Sequence, residues 1–158
     1  MSNHNRIRSL LLATSIVATL CTGLAVSADL APVDIIKTRQ RGLKQMGAAA
    51  KTIRDELKGA HDMGKIQAAA SDIQKVAASM REWFPQGSGT EAGVKTAAKP
   101  EIWSDPEGFS VARTRLVEQA DKFADAVQSG EVAEIGPAFK ALGQACGNCH
   151  DKFREKDD

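Results

Sequence analysis

The 158-residue chain is predicted to be all-α, an up-down-up-down four-helix bundle, and three observations predict it. Apolar residues recur at alternating spacings of three and four through four separate stretches, the period of a helix that buries one face. No stretch alternates apolar and polar residues with the period of two that a half-buried strand needs. The first and second stretches, and the third and fourth, are joined by short Gly-containing connections, which set each pair antiparallel.

Residues 1–28 precede the bundle and read as a secretory signal peptide. Arg6 and Arg8 supply the basic start, residues 10–26 are mostly apolar and uncharged, and Val26-Ser27-Ala28 offers small residues for cleavage after Ala28. Thr14, Ser15, Thr19, Thr22 and Gly23 dilute the run below what a retained membrane anchor requires. Leu20 before Cys21 is a poor fit to a lipoprotein signal. The expected mature domain is residues 29–158. Loss of Arg6 and Arg8 leaves 19 basic against 20 acidic residues, so the mature net charge is −1. That balance gives no reason to expect a nucleic-acid partner.

The first helix is predicted over residues 33–58, with Ile36, Leu43, Met46, Ala50, Ile53 and Leu57 on one stripe and Arg39 within it. Asp34 and Gly59 mark its ends. The second runs from about Asp62 to Phe84 through Ile66, Ala69, Ile73, Val76, Met80 and Trp83, and Pro85 stops it. Residues 85–104 lose the period. They are rich in loop chemistry, and Ile102 and Trp103 suggest a segment that folds back over something apolar. Ser104-Asp105-Pro106-Glu107 opens the third helix, which carries Phe109, Ala112, Leu116, Ala120, Phe123 and Val127 and ends near Ser129 with Gly130 beyond. The fourth stripe is Val132, Ile135, Phe139, Leu142, Cys146, Cys149 and Phe153. Pro137 interrupts it, either kinking the helix or marking where its main part begins.

The chemistry lies at the end of that fourth stripe, in Cys146-Gly147-Asn148-Cys149-His150. Cys-x-x-Cys-His is the attachment signature of a c-type haem. Its two thiols bond the porphyrin vinyl groups and the imidazole takes an axial position on iron. Helical spacing puts all three on one face. A zinc site would need about four ligands, yet the only other Cys or His beyond residue 28 is His61. A thioredoxin-like pair would sit beside a βαβ pattern, and a plain disulfide gives the histidine no purpose. One covalent haem c is expected, with Cys146 and Cys149 bonded to it and His150 as the metal ligand. Covalent attachment takes place outside the cytoplasmic membrane, so the expected location is the periplasm.

The chain resembles the class II cytochromes c, the cytochrome c' family, over essentially its whole mature length. The resemblance rests on the haem motif with Arg154 four residues beyond its histidine, and on Lys99-Pro100-Glu101-Ile102-Trp103-Ser104-Asp105. Arg39-Gln40 with Leu43, and Trp83-Phe84-Pro85, match weaker patterns. Cytochrome c' is a standard example of the up-down bundle, so agreement in architecture adds no independent support. Phe153 departs from the tyrosine of many relatives. The resemblance implies that Arg39 lies near a haem propionate and that Arg154 sits beside the proximal histidine. It also implies that the residue four beyond Arg39 faces the sixth position on iron. Low-spin members have methionine there; this chain has Leu43, which cannot coordinate. The expectation is five-coordinate, high-spin haem that binds NO or CO, transfers electrons to a periplasmic redox partner, or both. The alternative is a low-spin electron carrier with Met46 as ligand. Enzymatic use such as peroxidase chemistry needs distal acid–base groups, and Ile36, Leu43, Met46 and Ala50 offer none. A homodimer through the first two helices, crossing at Gly42, Gly47 and the alanine runs, is also expected.

Overall fold

A computed structural model describes residues 31–156; the expected signal peptide lies outside the described residues. Helix α1 spans Pro32–Lys58. Pro32 suits its first position, where the fixed φ is helical and the missing N–H would have had no partner, and Asp34 adds negative charge to the first turn. At the other end the Glu56 carbonyl accepts from the Gly59 and His61 amides at 3.2 and 3.0 Å. The left-handed residue that turns the chain is His61, at φ 56°, rather than Gly59.

Helix α2 spans Met63–Ser79, and the Asp62 carboxylate caps it by accepting from the Lys65 amide at 3.1 Å. The sequence carries this helix to Phe84. The structure instead ends the α-helix at Ser79 and tightens the last turn to a 3₁₀ turn, Met80–Glu82. Pro85 accounts for the difference. Its ring disfavours helical geometry at Phe84, and it has no N–H for the carbonyl of Arg81. Tightening gives the last turn i→i+3 partners, as in Trp83 N–H to Met80 O at 3.3 Å.

A four-residue helix, α3, spans Glu101–Ser104, and helix α4 spans Pro106–Ser129. Within the expected start at 104–107, Ser104 belongs to α3. Asp105 is the cap, accepting from the Gly108 amide at 3.0 Å. Gly130, at φ 75°, ends α4 in the left-handed conformation that glycine adopts without strain. Helix α5 spans Val132–Phe153 and runs through Pro137 unbroken. Gly136 eases this, since the clash between a proline ring and the preceding Cβ cannot occur there. Val132, expected in the buried stripe, is 69% exposed at the helix start.

The long helices pack in the order α1, α2, α4, α5, with α1 and α5 making little direct backbone contact. The main core fills the end where the short connections lie. It takes Met46, Ala49 and Ile53 from α1, Ile66, Ile73 and Val76 from α2, Leu116, Phe123 and Val127 from α4, and Ile135 and Leu142 from α5. A second cluster, Ile102, Phe109, Cys149 and Phe153, occupies the opposite end, where residues 80–105 cross the bundle.

Candidate functional site

Cys146, Cys149 and His150 all lie on the last two turns of α5. Cys149 is buried beside Ile102, Phe109 and Phe153. Cys146 is half-buried against the main core, and His150 is exposed. The thiols are free rather than paired as a disulfide. Burial pushes the Cys146 pKa up, and burial followed by the neighbouring Cys146 pushes Cys149 up to about 11. Both are therefore neutral thiols at pH 7, unlike the depressed thiolates of redox or nucleophilic cysteines. Although His150 is exposed as a residue, partial desolvation of its ring is the first cause of a lowered pKa and Arg154 the second, against an opposing effect of Asp151. That keeps a neutral nitrogen available for a metal.

This donor set fits haem c. Among the described residues no group of three or more His, Cys, Asp or Glu side chains converges to hold a bare metal ion. An iron at His150 would thus depend on a porphyrin for its other ligands. Leu43 and the packing order give a second sign of fit. Leu43 lies in the core stripe of α1 between Arg39, 2% exposed, and Met46, 8% exposed, yet is itself 37% exposed. Helices α1 and α5 make little direct backbone contact, so a flat apolar group between them would complete the packing of the bundle.

Arg39 is the largest fully buried side chain of the described residues. Its Nη1 donates to Trp83 O at 3.1 Å and Ser88 Oγ at 3.3 Å. Its Nη2 donates to Ser88 O and Thr96 Oγ1, both at 2.9 Å. Burial lowers its pKa and Glu91 partly offsets this; an arginine keeps its charge regardless. Four of the five guanidinium N–H groups, all of them on Nη1 and Nη2, are thereby engaged. The guanidinium also stacks on Phe84, 4.7 Å from the ring centroid. Phe84 meets Phe109 edge-on at 4.8 Å, and Phe109 meets Phe153 edge-on at 5.2 Å. This aromatic row carries Arg39 into the cluster that holds Cys149.

Arg154 follows α5 and donates its amide to His150 O at 3.1 Å. It pairs across to Ala98 as an isolated antiparallel bridge. Met46 packs within the main core. Trp103 anchors the crossing segment, its Nε1–H donating to Phe84 O at 3.2 Å and Pro85 O at 3.0 Å. Gly42, expected at an interface between chains, is in close contact with its own chain. Trp83 lies over it so closely that a Cβ there would fall 2.2 Å from Cη2. Sequence reasoning missed Ser88, wholly buried, and Thr96. Both sit in a polar, aperiodic stretch that gives no burial signal.

The family model for cytochrome c' matches residues 34–154. Cytochrome c' of Allochromatium vinosum is 33% identical over 150 residues, covering 92% of this chain and 97% of that one. The crystal structure of cytochrome c' from Thermochromatium tepidum superposes with a TM-score of 0.78 at 33% identity, covering 82% of this chain and all of that chain. The nitric oxide complex of a leucine-to-alanine mutant of cytochrome c prime from Alcaligenes xylosoxidans has a TM-score of 0.73 at 26% identity, covering 82% and 99%. With the motif on α5, the bundle and these likenesses, the chain belongs to the cytochrome c' family, whose prosthetic group is covalently attached haem c.

Proposed function

We propose that this protein is an exported, periplasmic cytochrome c' with five-coordinate, high-spin haem that binds NO or CO and exchanges electrons with a redox partner. It is read as a binding and carrier protein rather than an enzyme. Bound haem supplies an iron that changes oxidation state and accepts a diatomic ligand. Cys146 and Cys149 hold it through thioether bonds, and His150 is its protein ligand. Arg154 places positive charge beside that imidazole. Arg39 offers Nε–H to a propionate while it holds the crossing segment. A homodimer is retained in this reading, with Gly47, which has nothing within 4 Å of its Cβ position, as the close point.

The observation that carries the reading is Leu43: an apolar side chain in the core stripe of α1, part-exposed, with no atom able to bind iron. It would line the ligand side as an apolar cover that excludes water and admits a small neutral gas after moving. The nitric oxide complex of the Alcaligenes xylosoxidans relative supports gas binding by a protein of this fold. Met46, the alternative ligand, is buried in the main core, where its thioether already has packing partners.

Leu43→Met tests this directly. It should convert the spectrum from high-spin to low-spin and suppress CO binding, because a thioether then stands where the leucine stood. A wild-type spectrum that is already low-spin, and that is lost in Met46→Ala, would make Met46 the ligand and the protein a dedicated electron carrier.

A further inference from the structure

Two neighbouring residues of α1 reach out to the crossing segment. Arg39 donates to Thr96 Oγ1 at 2.9 Å, and the Gln40 side chain donates to Lys95 O at 2.8 Å. Three residues later the same segment is bound to the end of α5. Lys99 N–H donates to Phe153 O at 3.1 Å, and Glu155 N–H donates to Ala97 O at 2.8 Å. Thr96 joins the two halves, since its Oγ1 also accepts from the Ala98 amide at 3.2 Å. Residues 95–99 therefore lie hydrogen-bonded between α1 and the C-terminal end of α5, at the end of the bundle that carries the haem motif. The helices themselves make little direct backbone contact there.

We infer that residues 95–99 are a strap that sets the spacing of α1 and α5 at the motif end, with Arg39 as its positioning residue, and so governs how readily a small ligand passes Leu43. The geometry favours a strap over an ordinary surface loop. Arg39 ties Thr96 of the strap to Trp83 and Ser88, earlier in the crossing segment, using a planar fork whose donors cannot all follow if one acceptor moves. Ser88 is itself wholly buried and donates to Pro85 O at 2.7 Å. The α5-side partners of the strap, Phe153 and Glu155, follow His150 by only a few residues. Leu43 lies one helical turn beyond Arg39, on the same face of α1. A shift at Thr96 is thus transmitted to both sides of the seam.

The ligand-access part rests on the gas-binding reading above; the strap does not. Haem-loaded protein is compared as wild type, Arg39→Lys, Thr96→Val and Gln74→Leu. The last removes the hydrogen bond from Gln74 to Asp121 between α2 and α4, far from the segment. Amide hydrogen exchange is read by mass spectrometry at Lys99 and Glu155. The strap predicts faster exchange at Glu155 in Arg39→Lys and in Thr96→Val, about threefold to tenfold for one net hydrogen bond lost. Gln74→Leu should leave it unchanged. CO association should change in the same two variants. Unchanged exchange at Glu155 in both, or an equal rise in Gln74→Leu, overturns the strap. Accelerated exchange in a protein that binds no CO would instead keep the strap and overturn the gas-binding reading.

Discussion

Truncating Leu43 separates a residue that covers the haem from one that merely fills the core. Full burial of a leucine side chain is worth roughly 1.5–3 kcal/mol. Leu43 is 37% exposed to solvent within the chain, so its packing against the protein accounts for about three-fifths of that, roughly 1–2 kcal/mol. Met46, one turn on and 8% exposed, should cost roughly 2–5 kcal/mol as Met46→Ala, because a buried side chain leaves a cavity behind. Access should show the reverse order. Leu43→Ala should raise the CO association rate by about tenfold or more, a barrier change of ~1.4 kcal/mol, whereas Met46→Ala should barely move it. Guanidinium unfolding of the haem-loaded protein gives the first quantity and stopped-flow CO binding to the ferrous form the second. If Leu43→Ala destabilised as much as Met46→Ala and left the CO rate unchanged, Leu43 would be a core residue and the account of the ligand side would fail.

Other outcomes follow from the same contacts. Gly42→Ala should destabilise by about 1–3 kcal/mol, because its Cβ would overlap the Trp83 ring, and tryptophan fluorescence should report the displaced indole. Gly47→Ala meets nothing within 4 Å and should stabilise the monomer by roughly 0.5–1 kcal/mol in urea unfolding. The Glu56 pKa is lowered first by its hydrogen bond from Lys65 and then by that from the Asp62 amide. Its contribution is therefore fully present above the unfolded carboxylate value of about 4.3 and is lost as pH falls through the lower folded value. Glu56→Gln should flatten that part of the acid limb in a series of thermal melts. Cys146→Ala with Cys149→Ala should abolish haem-dependent staining on a denaturing gel, which the unmutated haem-loaded protein should retain.

The long helices were legible because burial on one face imposes its period on the sequence, and the motif was legible because its chemistry requires fixed spacing. Asp62, Asp105 and Gly130 were readable ends for the same local reason. The last turn of α2 was not. Met80 and Trp83 keep the apolar period into a turn that Pro85 forces into 3₁₀ geometry, and periodicity cannot distinguish the two. Arg39 stood out as a charge in an apolar stripe, but its acceptors did not. Two of the four are backbone carbonyls, at Trp83 and Ser88, which carry no residue signature. The pairing of 97–99 with 153–155 is invisible for a similar reason. It is made by backbone groups across more than fifty residues of chain. The contact of Gly42 with Trp83 was not readable either, because a small residue on a helix face looks the same whether another chain or its own covers it.

The central claim is an iron with His150 as its one protein ligand, and the absorption spectrum of the haem-loaded protein tests it most directly. Ferric protein should be high-spin and lack the methionine–iron charge-transfer band, and ferrous protein should shift on adding NO. A low-spin ferric spectrum with that band, and a ferrous spectrum indifferent to NO, would contradict it.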